Sequence, residues 1–346
     1  MNAPANVARK RVNLALQGGG SHGAFTWGVL DKFLEDGRLD IEAISGTSAG
    51  AMNAVVLADG FQEGGAEGAR KQLEEFWSEV SRCAVFSPIR RGPLSSLLGT
   101  WSLGNSPAVL WFDLMSKIFS PYDVNPFDYN PLRDLLTKTV DLTRVHACKD
   151  IKLFVSATNV YSGKGRVFDN FDKKDLTLDA VMASACIPTL YKAVVIDNEP
   201  YWDGGFMGNP VLWPFFYATH TNDLLLIEVN PIRRPTTPHT AREIEDRMNE
   251  ITFNASLQHE LRAIRFVSRL LREGKLDLKR YKDIRLHVVD NADAMIALGA
   301  SSKLNAEWDF LVYLRDLGRD TAARWLDKNF EKLGEQASAD PTQMIT

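Results

Sequence analysis

Two consecutive strand, glycine turn and helix units occupy the first 60 residues of this chain. Residues 12–17 are a short, mostly apolar run typical of a buried strand; the glycine-rich residues 18–23 and a segment with helical apolar spacing follow. Residues 41–45 repeat the pattern, with a second glycine turn at 46–50 and a helix-forming segment at 51–58. This alternation predicts an α/β fold with a largely parallel sheet.

The rest of the chain adds further strands and helices, and the pattern divides the chain into three regions. Further strands are predicted at 151–158, 193–196, 224–229 and 284–289, and helices at 241–273 and 302–333. Thr240 and Glu243 form a capping-box pattern at the start of the first of these helices. We predict a flexible tail at 1–10, one α/β domain at 11–290 and a helical C-terminal extension at 291–346.

Residues 86–131 differ from their surroundings, because they are crowded with Pro, Gly, Trp, Phe and Leu and show no clean period. A long irregular connection within a domain is often a lid or a binding surface. Two readings stay open: an insertion that packs on the core, or an apolar lid that contacts acyl chains or a membrane. The aromatic character of residues 94–127 motivates the membrane reading, with Trp101 and Trp111 as candidate contacts.

Charge and cysteine content narrow the class of protein. The net charge of −4 argues against general nucleic-acid binding, which requires a basic face. Cys83, Cys148 and Cys186 are widely spaced and odd in number, which favours reduced thiols and a cytoplasmic protein. The sequence shows no signal peptide and no apolar run long enough to cross a bilayer, although peripheral membrane contact stays possible.

The second glycine turn, Gly46-Thr47-Ser48-Ala49-Gly50, fits the G-x-S-x-G nucleophile elbow. A serine on a sharp turn between a strand and a helix leaves no room for side chains two residues away on either side, so both positions are glycine. The helix that follows offers free N–H groups and a partial positive charge. Ser48 is therefore the candidate nucleophile.

A serine nucleophile needs a base, and Asp203 is the best candidate. It is followed by Gly204 and Gly205, which allow the aspartate to approach another backbone turn closely. A histidine base remains an alternative, with His220 placed after Asp203 in the order that α/β-hydrolases use. No metal site is predicted, because His259-Glu260 lacks the second histidine of the H-E-x-x-H pattern.

Together, the motifs resemble those of the patatin-like phospholipases, serine acyl hydrolases with a Ser–Asp dyad. The resemblance covers residues 12–212, and its elements are the glycine loop 18–23, the elbow, the Asp-Gly-Gly turn, the block Ala183-Ser184-x-x-x-Pro188, and Asn209-Pro210. It implies a three-layer α/β/α fold with a mostly parallel central sheet and a helical C-terminal extension.

The resemblance also implies roles for individual residues. Ser48 would be the nucleophile, Asp203 the base, and the backbone N–H groups of Gly18, Gly19 and Gly20 the oxyanion hole. Supporting motif positions are Gly23, Gly46, Gly50, Gly204 and Gly205. The expected activity is hydrolysis of lipid carboxylic esters, of phospholipase A or lysophospholipase type, without metal or cofactor. The family often carries Arg or Lys where His22 stands, so a catalytic role for His22 is not assigned.

Two alternatives of other classes remain. Gly18-x-Gly20-x-x-Gly23 also matches a dinucleotide-binding turn, for which Asp40 or Glu42 would be the ribose-binding acid. A non-catalytic lipid-binding protein on the same fold is the other alternative.

Overall fold

The computed structural model describes residues 8–84 and 118–340, together with Trp101, Leu103 and Trp111. The strands are β1 Lys10–Leu16, β2 Leu39–Gly46, β3 Lys152–Asn159, β4 Gly165–Asp169, β5 Val194–Ile196, β6 Glu199–Asp203, β7 Asp223–Ile227 and β8 Arg285–Val289. The helices are α1 Gly23–Asp36, α2 Ala49–Ala84, α3 Pro121–Val124, α4 Pro131–Thr139, α5 Leu142–Ala147, α6 Leu178–Ser184, α7 Pro214–Ala218, α8 Ala241–Arg272, α9 Ala292–Leu298 and α10 Trp308–Asn329. Short 3-10 turns are Gly20–His22, Gly204–Phe206, Ala300–Leu304 and Phe330–Lys332.

The described strands form one sheet in the order β5-β6-β3-β2-β1-β7-β8, with β4 also paired to β3. Strands β3, β2, β1, β7 and β8 pair in parallel, whereas β4, β5 and β6 pair antiparallel at one side. The mostly parallel sheet predicted from the sequence is confirmed. The sequence did not reveal β4 and β6, because both are short and interrupt their apolar residues with charged residues or proline.

Apolar side chains project from both faces of the sheet and pack against helices on each face, which gives the fold three layers. On β1, Val12, Leu14 and Leu16 join a large core with α1, α2 and α10, whereas Ala15 points to a second core with α7 and α8. Successive strand residues alternate between faces, so a strand buried on both sides is apolar throughout. The α/β/α layering predicted from the family resemblance is confirmed.

The C-terminal helix α10 packs directly on α1, and glycines make this contact close. A Cβ atom on Gly318 of α10 would lie 2.1 Å from the carbonyl oxygen of Phe25. A Cβ atom on Gly28 of α1 would meet the carbonyl oxygen of Arg315 in the same way. Because backbone atoms cannot rotate away as side chains can, both positions require glycine. The C-terminal region therefore shares the core of the α/β domain.

Replacing Gly318 with alanine is expected to lower the free energy of unfolding by about 3 kcal/mol, because the two helix backbones must separate. Urea unfolding followed by circular dichroism measures the change. Gly64→Ala is the matched control, since no atom lies within 4 Å of a Cβ placed there. Equal stability of the two variants would show that α1 and α10 are not in tight contact.

Much of the region 86–131 lies outside the described residues, and its described parts differ in exposure. Trp101 packs against Phe310 and Tyr313 of α10, with ring centroids 5.1 and 5.6 Å apart, and Leu103 is buried. Trp111 and several apolar side chains of 118–129 are instead exposed. Of the two tryptophans proposed as membrane contacts, Trp101 therefore packs against the core, and only Trp111 is accessible to a membrane.

Candidate active site

The carboxyl ends of β1, β2 and β7 meet at one edge of the sheet and bring the predicted motifs together. Leu16 of β1 pairs with Gly46 of β2 and with Ile227 of β7, so the three strands end at the same level. The glycine loop follows β1 and the elbow follows β2. This edge is where open parallel sheets place their ligand sites.

Ser48 lies in the strained turn that its motif predicts. Its φ angle is 54°, in the left-handed region that residues other than glycine rarely adopt. A Cβ atom on Gly46 would lie 2.5 Å from the carbonyl oxygen of Gly50, which explains glycine at the start of the motif. The Ser48 N–H donates to Oγ of Ser184 at 3.0 Å, so the end of α6 holds the strained turn in place.

Asp203 is buried beside Ser48, with only 2% of its surface exposed. It ends β6, which pairs antiparallel with β3 so that Asp203 stands opposite Ala157. Its Oδ1 accepts a 2.7 Å hydrogen bond from the Gly205 N–H, and its carboxyl group also accepts a hydrogen bond from the Ser48 side chain. The fold thus brings together a serine and a carboxylate that lie far apart in the chain.

The environment of Asp203 sets its proton affinity. Burial disfavours the charged carboxylate and raises its pKa to about 7, and this outweighs the two hydrogen bonds that lower it. An aspartate with a pKa near neutrality can take a proton from a bound hydroxyl group and return it. Such perturbed carboxyl groups are typical of functional sites.

The segment after Asp203 is tied to the elbow by buried hydroxyl groups. Thr47 Oγ1 donates to the carbonyl oxygen of Gly208 at 2.7 Å, and Ser45 Oγ donates to that of Val211 at 2.6 Å. Ser156 of β3 completes this contact through a 2.7 Å hydrogen bond with Thr47. These bonds hold the Asp203 turn and the Ser48 turn in fixed positions relative to each other.

The glycine loop lies against Ser48, but the N–H groups of Gly18, Gly19 and Gly20 are not equivalent. The Gly18 N–H donates to Oδ1 of Asn209 at 2.7 Å, so it already has an acceptor. A Cβ atom on Gly18 would lie 2.8 Å from Cβ of Ser48, which places the loop directly beside the serine. Gly19 and Gly20 follow at the start of the 3-10 turn that leads into α1.

His22 is buried and neutral. Its Nε2 lies 2.7 Å from Oγ of Ser302, and that hydroxyl donates to the carbonyl oxygen of Gly299, so Nε2 acts as the donor. Burial, together with the cations Lys303 and Arg234, lowers the pKa of His22 to about 3. This side chain therefore brings no positive charge to the glycine loop at neutral pH.

His220 lies at the other end of the sheet. Its side chain is 83% exposed and its Nδ1 pairs with Oε1 of Glu42 at 2.7 Å. Glu42 lies four residues before Gly46 on β2, about 13 Å along the strand from the elbow. The geometry does not support the alternative triad that uses His220 as the base.

The acidic residues of the dinucleotide alternative lie at this same distant end. Asp40 pairs with Arg11 at 2.9 Å, and Glu42 accepts hydrogen bonds from the backbone of His220 and Thr221. A ribose-binding acid belongs at the carboxyl end of the second strand, where this chain has its elbow. Across the described residues, no group of three or more His, Cys, Asp or Glu side chains is arranged to hold a metal ion.

Comparison with known proteins agrees with this geometry. The family model described as "Patatin-like phospholipase" matches residues 14–216, more than half of the chain. The chain belongs to the patatin-like phospholipase family. The matched region contains the glycine loop, the elbow and the Asp-Gly-Gly turn. The resemblance seen in the sequence is thereby confirmed.

Similar solved structures include proteins from Legionella pneumophila and Pseudomonas aeruginosa. VipD from Legionella pneumophila is 14% identical, with a TM-score of 0.41, and the match covers 99% of this chain and 73% of VipD. ExoU in the ExoU–SpcU complex from the type III secretion system of Pseudomonas aeruginosa is 16% identical, with the same TM-score. That match covers 94% of this patatin-like chain and 52% of the other, so the chain spans about half of the length of ExoU. No curated protein matches in sequence.

The patatin-like site also uses residues that sequence reasoning did not single out. Gln17 is buried at the end of β1, and its Oε1 accepts the backbone N–H groups of Val229 and Asn230 after β7. Ser156 supports Thr47 from β3. Their common signal is a polar residue within or directly after an apolar strand at its carboxyl end, which is where a site is expected.

Proposed function

We propose that this patatin-like chain hydrolyses the carboxylic esters of lipids through a covalent acyl-enzyme on Ser48. The observation that carries the proposal is the hydrogen bond between the strained Ser48 and the buried Asp203. A serine with an adjacent base is the arrangement that acyl transfer requires. The family is one of phospholipases, which supports a lipid ester as substrate.

In the first half of the reaction, Asp203 takes the proton of the Ser48 hydroxyl as Oγ attacks the acyl carbon. The carbonyl oxygen becomes an oxyanion in the tetrahedral intermediate. Collapse of this intermediate breaks the ester C–O bond, and the proton on Asp203 passes to the departing alcohol or lysolipid oxygen. Because the pKa of Asp203 is about 7, the carboxyl group is suited both to accept and to return this proton.

In the second half, a water molecule replaces the alcohol. Asp203 takes a proton from this water as its oxygen attacks the acyl carbon of the Ser48 ester. The second tetrahedral intermediate collapses with cleavage of the bond to Ser48 Oγ, which recovers the proton from Asp203. The fatty acid leaves and the free enzyme is restored.

We assign the oxyanion donors to the N–H groups of Gly19 and Gly20, with Gly18 as the anchor of the loop. The support for this division is the hydrogen bond from Gly18 to Asn209, which occupies the first of the three N–H groups. Each donor directed at the developing oxyanion contributes about 3 kcal/mol or more to stabilisation of the transition state. The loop thus contributes through the direction of its backbone N–H groups and not through side chains.

A lipid hydrolysis panel tests the proposal. Wild-type protein is incubated with phospholipids, lysophospholipids, acylglycerols and a soluble acyl thioester, and the released products are identified by mass spectrometry. A serine-reactive fluorophosphonate, followed by peptide mapping, shows whether Ser48 is the labelled residue. A chain that is unlabelled and inert to the whole panel would favour the non-catalytic lipid-binding alternative.

We also propose that the exposed residues 118–129 contact the lipid surface. Phe127 is 93% exposed, and Tyr122 and Val124 of α3 are also exposed. Lys192 Nζ donates to the carbonyl oxygen of Pro126, and the Ala193 N–H donates to the hydroxyl of Tyr122. These two residues directly precede β5, which pairs with the strand that carries Asp203. No helix in the described part of the chain is long and apolar enough to span a membrane.

Changing Val124 and Phe127 together to serine is expected to weaken binding to zwitterionic phospholipid vesicles about tenfold, because less apolar surface enters the interface. Vesicle co-sedimentation measures the loss. Tyr217→Ser is the control, since Tyr217 is 84% exposed on α7, close in the chain to His220 at the far end of the sheet. Unchanged binding of the double variant, or an equal loss for Tyr217→Ser, would contradict this role.

A further inference from the structure

The 3-10 turn Ala300–Leu304 lies directly behind the glycine loop, although it is far from the loop in the chain. Ser302 shares a hydrogen bond with His22. A Cβ atom on Gly20 would lie only 2.5 Å from the carbonyl oxygen of Lys303. Gly20 has a φ angle of +58° at this contact. The C-terminal region therefore forms the wall against which the glycine loop rests.

Lys303 is connected to the glycine loop by two hydrogen bonds through the side chain of Asn230. Its Nζ donates to Oδ1 of Asn230 at 2.7 Å, and Nδ2 of Asn230 donates to the carbonyl oxygen of Gly18 at 2.6 Å. The Asn230 backbone N–H is held by Gln17 Oε1 at 2.9 Å. The ammonium group thus determines which end of the Asn230 amide faces Gly18, because an ammonium can only donate.

The carbonyl oxygen of Gly18 belongs to the same peptide unit as the N–H of Gly19. A trans peptide is planar, so its C=O and N–H groups point in opposite directions. Since Asn230 fixes the carbonyl, it also fixes the direction of the Gly19 N–H. A donor on the carbonyl oxygen additionally polarises the peptide and strengthens its N–H as a donor.

The positive charge of Lys303 acts in a partly buried setting shared with other charged groups. Glu250 is paired with Arg234 at 2.5 Å and with Arg247 at 3.2 Å. Burial and Arg234 lower the pKa of Lys303, while Glu250 and Asp246 raise it, and the net shift is downward. With Glu250 held by two arginines, the ammonium is directed to Asn230.

We propose that Lys303 is a positioning residue for the oxyanion hole: through Asn230 it orients the Gly18–Gly19 peptide so that the Gly19 N–H faces the acyl oxygen. This inference rests on the proposed function, because it concerns the same acyl transfer. Lys303 and Asn230 both lie outside the region 14–216 that matches the family model. The C-terminal part of the chain therefore contributes to the reaction as well as to stability.

Steady-state kinetics with a soluble p-nitrophenyl ester test this role. Lys303→Met keeps an unbranched side chain that is one atom shorter and removes its charge and its N–H donors. We expect kcat to fall about 10- to 100-fold with KM changed less than about threefold, as for the misplacement of one oxyanion donor. Lys303→Arg, which still donates to Asn230, is expected to recover most of the lost kcat.

Lys332→Met is the matched control, because Lys332 Nζ also donates to an asparagine Oδ1, that of Asn329, from a 3-10 turn. It should leave kcat and KM unchanged. Should Lys303→Met fail to fold, Asn230→Asp serves instead: its carboxylate still accepts from Lys303 but cannot donate to Gly18, so kcat should fall.

The outcomes separate this inference from the proposed function. Wild-type turnover together with an unaltered kcat in Lys303→Met or Asn230→Asp would overturn the positioning role alone. A loss in Lys303→Met that Lys303→Arg does not recover, with a lowered melting temperature in both, would reduce Lys303 to a structural residue. A wild-type chain that neither hydrolyses the ester nor reacts with the phosphonate would overturn both proposals.

Discussion

Replacing Ser48 with alanine is expected to lower kcat for ester hydrolysis by at least about 10⁴-fold, since no acyl-enzyme can form without the hydroxyl group. Ser48 is the residue in the strained turn, and its side chain makes the hydrogen bond to Asp203. Initial rates of fatty acid release from the best substrate of the lipid panel measure the effect. The same variant should lose labelling by the fluorophosphonate.

The control for this prediction is Ser162→Ala, which removes a hydroxyl group from an exposed turn and should keep wild-type rates. A second readout follows from the backbone. Because glycine accepts a positive φ angle without strain, Ser48→Gly should be inactive yet more stable than wild type by about 1 kcal/mol. Wild-type hydrolysis by Ser48→Ala would exclude Ser48 as the nucleophile.

Replacing Asp203 with asparagine is expected to lower kcat/KM by about 10²- to 10⁴-fold, the contribution of a general base. The pH dependence of the wild type reports on the same group. A base with a pKa of about 7 is ionised above neutrality, so kcat/KM should rise with pH, reach half of its maximum near pH 7 and fall about tenfold per unit well below it. An aspartate with an ordinary pKa would give a profile already flat at pH 6.

As the pH rises, the stability of the native state should fall while the activity rises. The pKa of Asp203 is 3.8 in the unfolded chain and about 7 in the fold, so the native state loses stability as the pH rises from 4 to 7. Asp203→Asn removes this cost and should stabilise the protein, by an amount on the order of 1 to 3 kcal/mol at pH 8 and less at pH 5. A variant that is active, or less stable at pH 8 than at pH 5 relative to wild type, would contradict the buried base.

The parallel part of the fold was predictable because its signals are local. Strands β1, β2, β3, β7 and β8 are short segments rich in apolar residues, and glycine turns mark where β1 and β2 end. The antiparallel strands β4 and β6 were not predictable from the sequence, and β6 shows why. Its sequence, EPYWD, contains proline and two acidic residues, and only pairing with β3 makes it a strand. The strand that carries the proposed base was therefore invisible to pattern analysis, although Asp203 itself was found through its glycines.

The environment of the candidate site was also beyond the sequence. The family resemblance implied that the N–H groups of Gly18, Gly19 and Gly20 form the oxyanion hole, yet only the contact with Asn209 reveals that the Gly18 N–H is already engaged. Similarly, the sequence left the role of His22 open, and only the structure reveals its burial and its hydrogen bond with Ser302.

By itself, the sequence determined the family, the parallel strands and the residues on which the chemistry is proposed, because each depends on residue types at short, fixed spacings. The tertiary structure determined the burial, the neighbours and the hydrogen bonds of those residues. Burial raises the pKa of Asp203, antiparallel pairing delivers it to Ser48, and a turn nearly 300 residues from the glycine loop fixes the direction of a peptide in that loop. Proton affinity and hydrogen-bond direction depend on groups brought together only by folding, so no local pattern could contain them.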